Sequence, residues 1–312
     1  MPAELIDGVA IARSVRERVA RETVALKSRG VTPGLTVILV GDNQASATYV
    51  RAKGAASEEV GIRSSTIRLP AETTQAELLA RIDDLNADDS VHGILVQMPL
   101  PPQIDPEAVI LRVDPAKDVD GFHPVNVGKL LIGQSDGFVS CTPAGVVEML
   151  RAARVETAGK ECVIVGRSMI VGKPMASLLV QNTNPGNCTV TVCHSRTRDL
   201  QSHTLRAEIL IVAAGRAKLV TGDMIRPGAV VIDVGMNRIP DSATKSGTRL
   251  VGDVDFASAR EVAGMITPVP GGVGPMTIAM LLSNTVLSAS RFADARGQRA
   301  PRGTPSDSTV HA

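Results

Sequence analysis

Short apolar runs alternate along this chain with stretches in which apolar side chains recur every three or four positions, the respective patterns of buried strands and amphipathic helices. The N-terminal half predicts a helix over about Gly8 to Ser28, a strand from Thr36 to Val40 and a helix from about Ala45 to Val60 with Gly61 as its stop. A strand-like Ser65 to Leu69, a helix near Gln75 to Asn86 and a strand from Gly93 to Gln97 follow. The stretch from Pro99 to Pro143 is broken by Gly and Pro and reads as irregular. A second series then begins: ECVIVG (Glu161 to Gly166), a helix from about Gly172, TVTVC (Thr189 to Cys193), EILIVAAG (Glu208 to Gly215) and AVVIDVG (Ala229 to Gly235). Each series has the order expected of a parallel sheet with crossover helices. A last helix, Met276 to about Ser290, starts behind a Gly/Pro loop and is placed to pack back on the first domain. Beyond Arg291 the periodicity is lost and Arg, Pro, Gly and Ser accumulate, which predicts disorder for 292–312.

Length supports the division into two units, because a single core rarely grows to 312 residues. The boundaries expected are 1–140, completed by the helix over 274–291, and 141–273. Aromatic residues are only 2% of the chain, so Val, Ile, Leu and Ala must fill the core, as buried parallel sheets require. This favours α/β over a sandwich. A net charge of +1 leaves no global field to gather nucleic acid or anionic lipid. Cys141, Cys162, Cys188 and Cys193 lack CxxC spacing and mostly sit beside apolar runs, so they read as small core residues with neither disulfide nor metal. No run approaches the roughly 20 apolar residues of a membrane span, and Glu4 and Asp7 interrupt any leader. The expectation is a cytoplasmic protein with no membrane partner.

Gly166-Arg167-Ser168-Met169-Ile170-Val171-Gly172 joins a strand directly to a helix with Pro174 in its first turn. A Gly at the strand end allows a tight turn, a second allows close helix approach, and the helix start offers amides to a pyrophosphate. The motif departs from GxGxxG, because Ser168 stands at the middle position and the last Gly comes one residue late. A turn without ligand has the same letters. The next strand ends in His194-Ser195-Arg196-Thr197, with no carboxylate before Asp199 where an NAD site would hold ribose hydroxyls. A hydroxyl and a guanidinium there, with Arg167 as a second cation, suit a 2′-phosphate and hence NADP, although Arg196 alone could equally be solvated surface charge.

Tyr49 and Lys53 are spaced i and i+4, on one helical face with Ala45 and Ala56. A Lys on such a face loses solvation and its pKa is expected to fall into the range of an acid/base catalyst. A Lys snorkelling beside a core Tyr has the same spacing. Gln97-Met98-Pro99-Leu100-Pro101-Pro102 leaves the carboxyl end of a buried strand, where open α/β sheets bind ligands. Pro115 to Pro124 presents Asp118 and Asp120 from a stiff loop. Thr267 to Pro275 is Gly-rich but lacks the Lys-Ser/Thr of a P-loop, so close backbone approach to a flat ligand is its better use. In such cleft loops a cis X-Pro bond is expected, with Leu100-Pro101 and Val269-Pro270 as candidates.

Together these stretches resemble the bifunctional methylenetetrahydrofolate dehydrogenase/cyclohydrolase family. The resemblance is carried by ILVGDNQASATYVRAK (Ile38 to Lys53), GILVQMPLP (Gly93 to Pro101), DPAKDVDGFHPVNVG (Asp114 to Gly128), CTPAGVVEML (Cys141 to Leu150), VGRSMIVGKPM (Val165 to Met175), GAVVIDVGMN (Gly228 to Asn237), GDVDF (Gly252 to Phe256) and TPVPGGVGPMTIAML (Thr267 to Leu281). Pro240 to Arg249 and the tail match poorly. The resemblance implies a homodimeric two-domain α/β enzyme, with folate in the cleft between an N-terminal catalytic domain and a Rossmann-like NADP-binding domain. It implies oxidation of 5,10-methylenetetrahydrofolate with NADP and hydrolysis of the methenyl product to 10-formyltetrahydrofolate, a one-carbon supply for purine biosynthesis. By the same resemblance Lys53 is the catalytic lysine, Tyr49 stacks and positions, Gln97 is the hydrogen-bond partner of Lys53, and Asp120 anchors the pterin. Folate would touch Val96, Pro99, Leu100 and Pro270, Gly271, Gly272 and Val273. NADP would touch Gly166, Arg167, Ser168, Val171, Gly172, His194, Ser195, Arg196 and Gly235.

The chemistry agrees with these residue types. Hydride departure from an N-CH2-N carbon is driven by nitrogen lone pairs and needs positioning more than a base. The product is a cation that a charged lysine would repel, and its hydrolysis must move protons. A different two-domain dehydrogenase acting on an amino or keto acid, or a non-catalytic NADP-binding regulator, would carry the Gly166 loop as well. Reduction of NADP that depends on methylenetetrahydrofolate separates the three.

Overall fold

The computed structural model describes residues 2–244 and 247–299, apart from the side chains of Ala45 and 297–299. The chain runs β1 (Glu4–Leu5), α1 (Gly8–Ser28), β2 (Gly34–Val40), α2 (Gln44–Glu59), β3 (Arg63–Leu69), α3 (Gln75–Ala87) and β4 (Gly93–Val96). Next come α4 (Pro106–Arg112), α5 (Pro124–Leu131) and α6 (Cys141–Ala152), then β5 (Glu161–Val165), α7 (Gly172–Val180), β6 (Thr189–Cys193), α8 (Leu200–Thr204), β7 (Ile209–Val212) and β8 (Val230–Asp233). The chain then makes β9 (Asn237–Pro240), β10 (Thr248–Val251), α9 (Phe256–Arg260), β11 (Met265–Ile266) and α10 (Val273–Arg299).

Two parallel sheets organise these elements. One has the order β3-β2-β4, the other β1-β11-β8-β7-β5-β6. All seven residues of β2 are buried, as the central strand of a sheet covered on both faces must be. The two-residue β1 belongs to the second sheet although it precedes the first, and β11 beside it is equally short. Neither is long enough to show a period. β9 and β10 form an antiparallel hairpin that also went unpredicted.

The stretch from Pro99 to Pro143 is less irregular than its composition suggests. It holds α4 and α5, of seven and eight residues, too short for a hydrophobic period. Their local signals are the capping side chains of Asp105 and His123, which accept from the amides of Glu107 and Val125, each followed by Pro at the first helical position.

Helix α1 starts where Asp7 accepts from the amides of Val9 and Ala10, and it buries Ala12, Val15, Val19, Thr23 and Leu26, one stripe at helical spacing. That stripe packs on α10, which lies between α1 and α6. Against expectation, the Val273–Arg296 stretch of α10 is long and apolar enough to cross a membrane, but most of it is buried inside the fold. Its polar side chains turn inward: Asn284 Nδ2 donates to the carbonyls of Val119 (2.8 Å) and Val139 (3.0 Å), and Ser288 Oγ to that of Ala116 (2.8 Å). The helix also outlasts Ser290. Phe292 meets His92 edge-on at 5.1 Å, Ala293 is buried, and Asp294 pairs with Arg29 at 2.5 Å. These tertiary contacts hold a segment whose own sequence reads as disordered; residues 300–312 lie outside the described set.

His92 joins the first sheet to the end of α10. Its Nδ1 accepts from the amide of Gly34 at 3.1 Å, and the residue is 4% exposed. Burial, helped by the charges of Lys117 and Arg63 and opposed by Asp88 and Asp89, pushes its pKa down to about 4. The unfolded chain therefore binds a proton between pH 6.5 and 4 that the folded chain refuses, and acidification acts against the fold at this position. His92→Asn keeps an acceptor for Gly34. Relative to this variant the unmodified protein should lose up to about 3 kcal/mol between pH 7 and pH 4, read by urea unfolding across that range. A pH-independent difference would contradict the assignment.

Candidate active site

Helix α2 brings the chemistry to the carboxyl ends of the first sheet. Asn43 caps it by accepting from the amide of Ser46, and Ser46 Oγ donates to the carbonyl of Met98 at 3.5 Å, which ties the helix start to the loop after β4. Lys53 Nζ then donates to Gln97 Oε1 at 3.0 Å, and Gln97 Nε2 to the carbonyl of Met98 at 2.8 Å. The two side chains hold each other in place. The amide of Gln97 bonds the carbonyl of Ile38 at 2.8 Å, so this side chain stands just past the last residue of β4.

Asp120 completes the cluster. Burial pushes its carboxyl above the ordinary range, while the charge of Lys53 and the thiol of Cys141 pull it down. Cys141, the first residue of α6, donates to the carbonyl of Val119 at 3.3 Å; burial and the Asp120 carboxylate raise its pKa well above that of a free thiol. It reads in sequence only as a small core residue, and only the fold places it beside Asp120. All four cysteines are buried and unpaired.

Asp118 is different. Its Oδ2 accepts from the amide of His123 and from Asn126 Nδ2, both at 2.8 Å, and its Oδ1 from the amide of Phe122 at 3.3 Å. Burial raises its pKa to about 6 against these donors. This carboxylate pins the loop that presents Asp120, and the two aspartates of the motif thus divide into one that holds the loop's amides and one that does not.

Between the sheets lies a cavity of ≈ 500 Å³ lined by Tyr49, Pro270, Gly271, Gly272 and Val273, and also by Asp233, Gly235 and Met236. Tyr49 spans it, its hydroxyl donating to Met236 Sδ at 2.8 Å. Val96 and Leu100 instead pack against the core of the first sheet, and Pro99 is exposed. Met98-Pro99 and Val269-Pro270 are cis and Leu100-Pro101 is not. Asp233, at the end of β8, accepts from the amides of Gly235, Asp253 and Val254, and burial outweighs these donors to bring its pKa to about 7. Asp253 in turn accepts from the amides of Ala214, Gly215 and Arg216 and from Asn237 Nδ2. These two buried carboxylates, unremarked in the sequence, gather the backbone where β7 and β8 end.

The second sheet carries the dinucleotide loop. Gly166 has φ +135°, and a Cβ there would strike the carbonyl of Ala213; one on Gly172 would strike that of Gly166. Both positions therefore need Gly. Ser168 Oγ accepts from the amides of Val171 (3.1 Å) and Gly172 (3.4 Å), so the serine that departs from GxGxxG caps the start of α7. A cavity of ≈ 460 Å³ is lined by Gly166, Arg167, Ser168, His194 and Ser195, and by Arg216, which sequence reasoning missed. Arg196 is exposed and absent from that lining, while its amide donates to His194 Nδ1 at 3.2 Å.

Tyr49 lines the cavity between the sheets, whereas Lys53, Gln97 and Asp120 cluster behind it and are not in its lining. An α/β enzyme of two sheets, one shaped for a dinucleotide at the carboxyl ends of its strands and the other carrying a lysine and a buried aspartate at the carboxyl ends of its own, is the class these positions define. The chain belongs to the tetrahydrofolate dehydrogenase/cyclohydrolase family. Residues 6–120 match the catalytic domain of that family and residues 140–293 its NAD(P)-binding domain. A bifunctional protein FolD of Prosthecochloris aestuarii is 56% identical over 92% of this chain and 98% of its own. Among solved structures, the bifunctional FolD methylenetetrahydrofolate dehydrogenase/cyclohydrolase of Campylobacter jejuni superimposes with a TM-score of 0.88 at 50% identity, covering 93% of this chain and 99% of its own. FolD of Trypanosoma brucei, complexed with NADP cofactor and inhibitor, also gives 0.88 at 43% identity, over 93% and 98% of the two chains.

Proposed function

We propose that this chain oxidises 5,10-methylenetetrahydrofolate to 5,10-methenyltetrahydrofolate with NADP and hydrolyses that product to 10-formyltetrahydrofolate in the same cleft. The observation that carries this reading is Lys53 Nζ held 3.0 Å from Gln97 Oε1, just past the last residue of β4 and on the α2 face that also carries Tyr49. Tyr49 stacks on the aromatic part of the folate beside the lysine. Asp120 accepts from the amino-pyrimidine edge of the pterin, and Gln97 aims the amine at the one-carbon unit. NADP supplies the hydride acceptor when bound. The chain's own task in the first reaction is alignment, since the folate nitrogens push the hydride out. In the second, water adds to the one-carbon centre, and Lys53 moves the proton that lets the carbon-nitrogen bond break.

NADP is assigned to the loop at Gly166 and Gly172, where the protein's own backbone leaves no room for a Cβ and the tight strand-to-helix turn is that of a dinucleotide site, and the 2′-phosphate falls to Arg167 and Ser195. Arg167→Gln should weaken NADP roughly ten- to a hundredfold with little effect on NAD. Arg196→Gln should cost less, because Arg196 lies outside that lining. Kinetics with each cofactor test this, and an unchanged KM for NADP in Arg167→Gln would contradict it. The reading includes a homodimer acting in the cytoplasm, where the product serves as a formyl donor for purine biosynthesis; buried, unpaired cysteines suit a reducing compartment.

A further inference from the structure

The cavity between the sheets has a charged end that neither reaction uses. Thr48, Tyr49, Ala52 and Ala56 face it from α2, a spacing that sets them along one side of the helix over about 12 Å. One turn further on, Glu59 meets Arg16 of α1, its carboxylate 3.2 Å from Nε. Arg16 lines the same cavity with its side chain 21% exposed. Only Nε is engaged: among the described residues no hydrogen bond reaches its two terminal nitrogens. Arg238 of β9 adds a second cation to the lining. The lining's one carboxylate, Asp233, is occupied by three backbone amides.

We propose that Arg16 is a specificity-determining residue that receives the carboxylates of the folate's glutamate tail. The inference rests on the folate reading above. With the one-carbon unit at Lys53 and the p-aminobenzoyl ring on Tyr49, the tail runs along the apolar side of α2, past Ala52 and Ala56, and its carboxylates arrive at Arg16. Glu59 fixes the guanidinium through Nε and leaves the terminal fork free, which is the geometry for bidentate binding of a carboxylate.

The test uses the full chain and three substrates: methylenetetrahydrofolate, its triglutamyl form, and the methylene derivative of tetrahydropteroate, which has no glutamate. Arg16→Gln should lower the ratio of kcat/KM for tail-bearing over tail-less substrate by roughly tenfold, through KM, with a larger loss for the triglutamate. Arg16→Lys should recover part of it. Glu59→Gln removes the ion pair between α1 and α2 but keeps the guanidinium, so it should hold or raise the ratio. An unchanged ratio in Arg16→Gln, or an equal fall in Glu59→Gln, would overturn the proposal, the second by showing that the link alone matters. Failure of the unmodified protein to oxidise any of the three would refute the folate reading itself, a result distinct from either.

Discussion

Replacing Lys53 with Met should cut hydrolysis of methenyltetrahydrofolate by about 10²–10⁴, the usual worth of general acid/base catalysis, while hydride transfer suffers less. Met keeps the length and the apolar stem, so α2 keeps its packing and only the proton-transfer group is lost. Gln97 would lose the Lys53 Nζ it holds at 3.0 Å, but its own bond to the carbonyl of Met98 remains to orient it. The two reactions should then separate: with NADP supplied, the variant forms the methenyl compound and accumulates it. Each step is measured alone, the hydrolysis against its spontaneous background. Undiminished hydrolysis in Lys53→Met would return Lys53 to a snorkelling residue beside a tyrosine.

Asp120→Ala should lower both activities by about 10² or more, because a substrate held without its anchor is misplaced for both steps. The comparison that gives this prediction its force is Asp118→Ala. Asp118 spends its carboxylate on the amides of His123 and Phe122 and on Asn126, so its removal leaves buried donors unpaired and should cost about 1–3 kcal/mol of stability. The Asp120 variant should keep its Tm, since its carboxylate supports no such network. Thermal melts beside kinetics for both substrates distinguish the two. Normal kinetics in Asp120→Ala would move the pterin site elsewhere.

The parts legible in the sequence were those with a period or a string. β2 and β5 are apolar runs because both faces of each strand are covered, and the i, i+4 pair on α2 follows from helix geometry alone. Gln97 stood out because a buried strand ends beside it. What stayed hidden depends on partners far along the chain. β1 is two residues whose only reason to be extended is β11, over 250 residues away. Arg16 is one arginine among several on α1, and only Glu59 and the cavity distinguish it. The end of α10 reads as disordered because its contacts, His92 and Arg29, belong to other elements. Asp118 and Asp120 look alike in the motif, and their division of labour follows from which of them the His123 and Phe122 amides reach.

The central claim is that one cleft carries out both folate reactions with NADP. It is tested most directly by following methenyltetrahydrofolate by absorbance when the purified protein meets methylenetetrahydrofolate and either NADP or NAD. The account predicts a methenyl signal that rises faster with NADP and then decays, enzyme-dependently, to 10-formyltetrahydrofolate. No cofactor reduction that depends on methylenetetrahydrofolate, or a methenyl signal that decays no faster than in buffer, would contradict it.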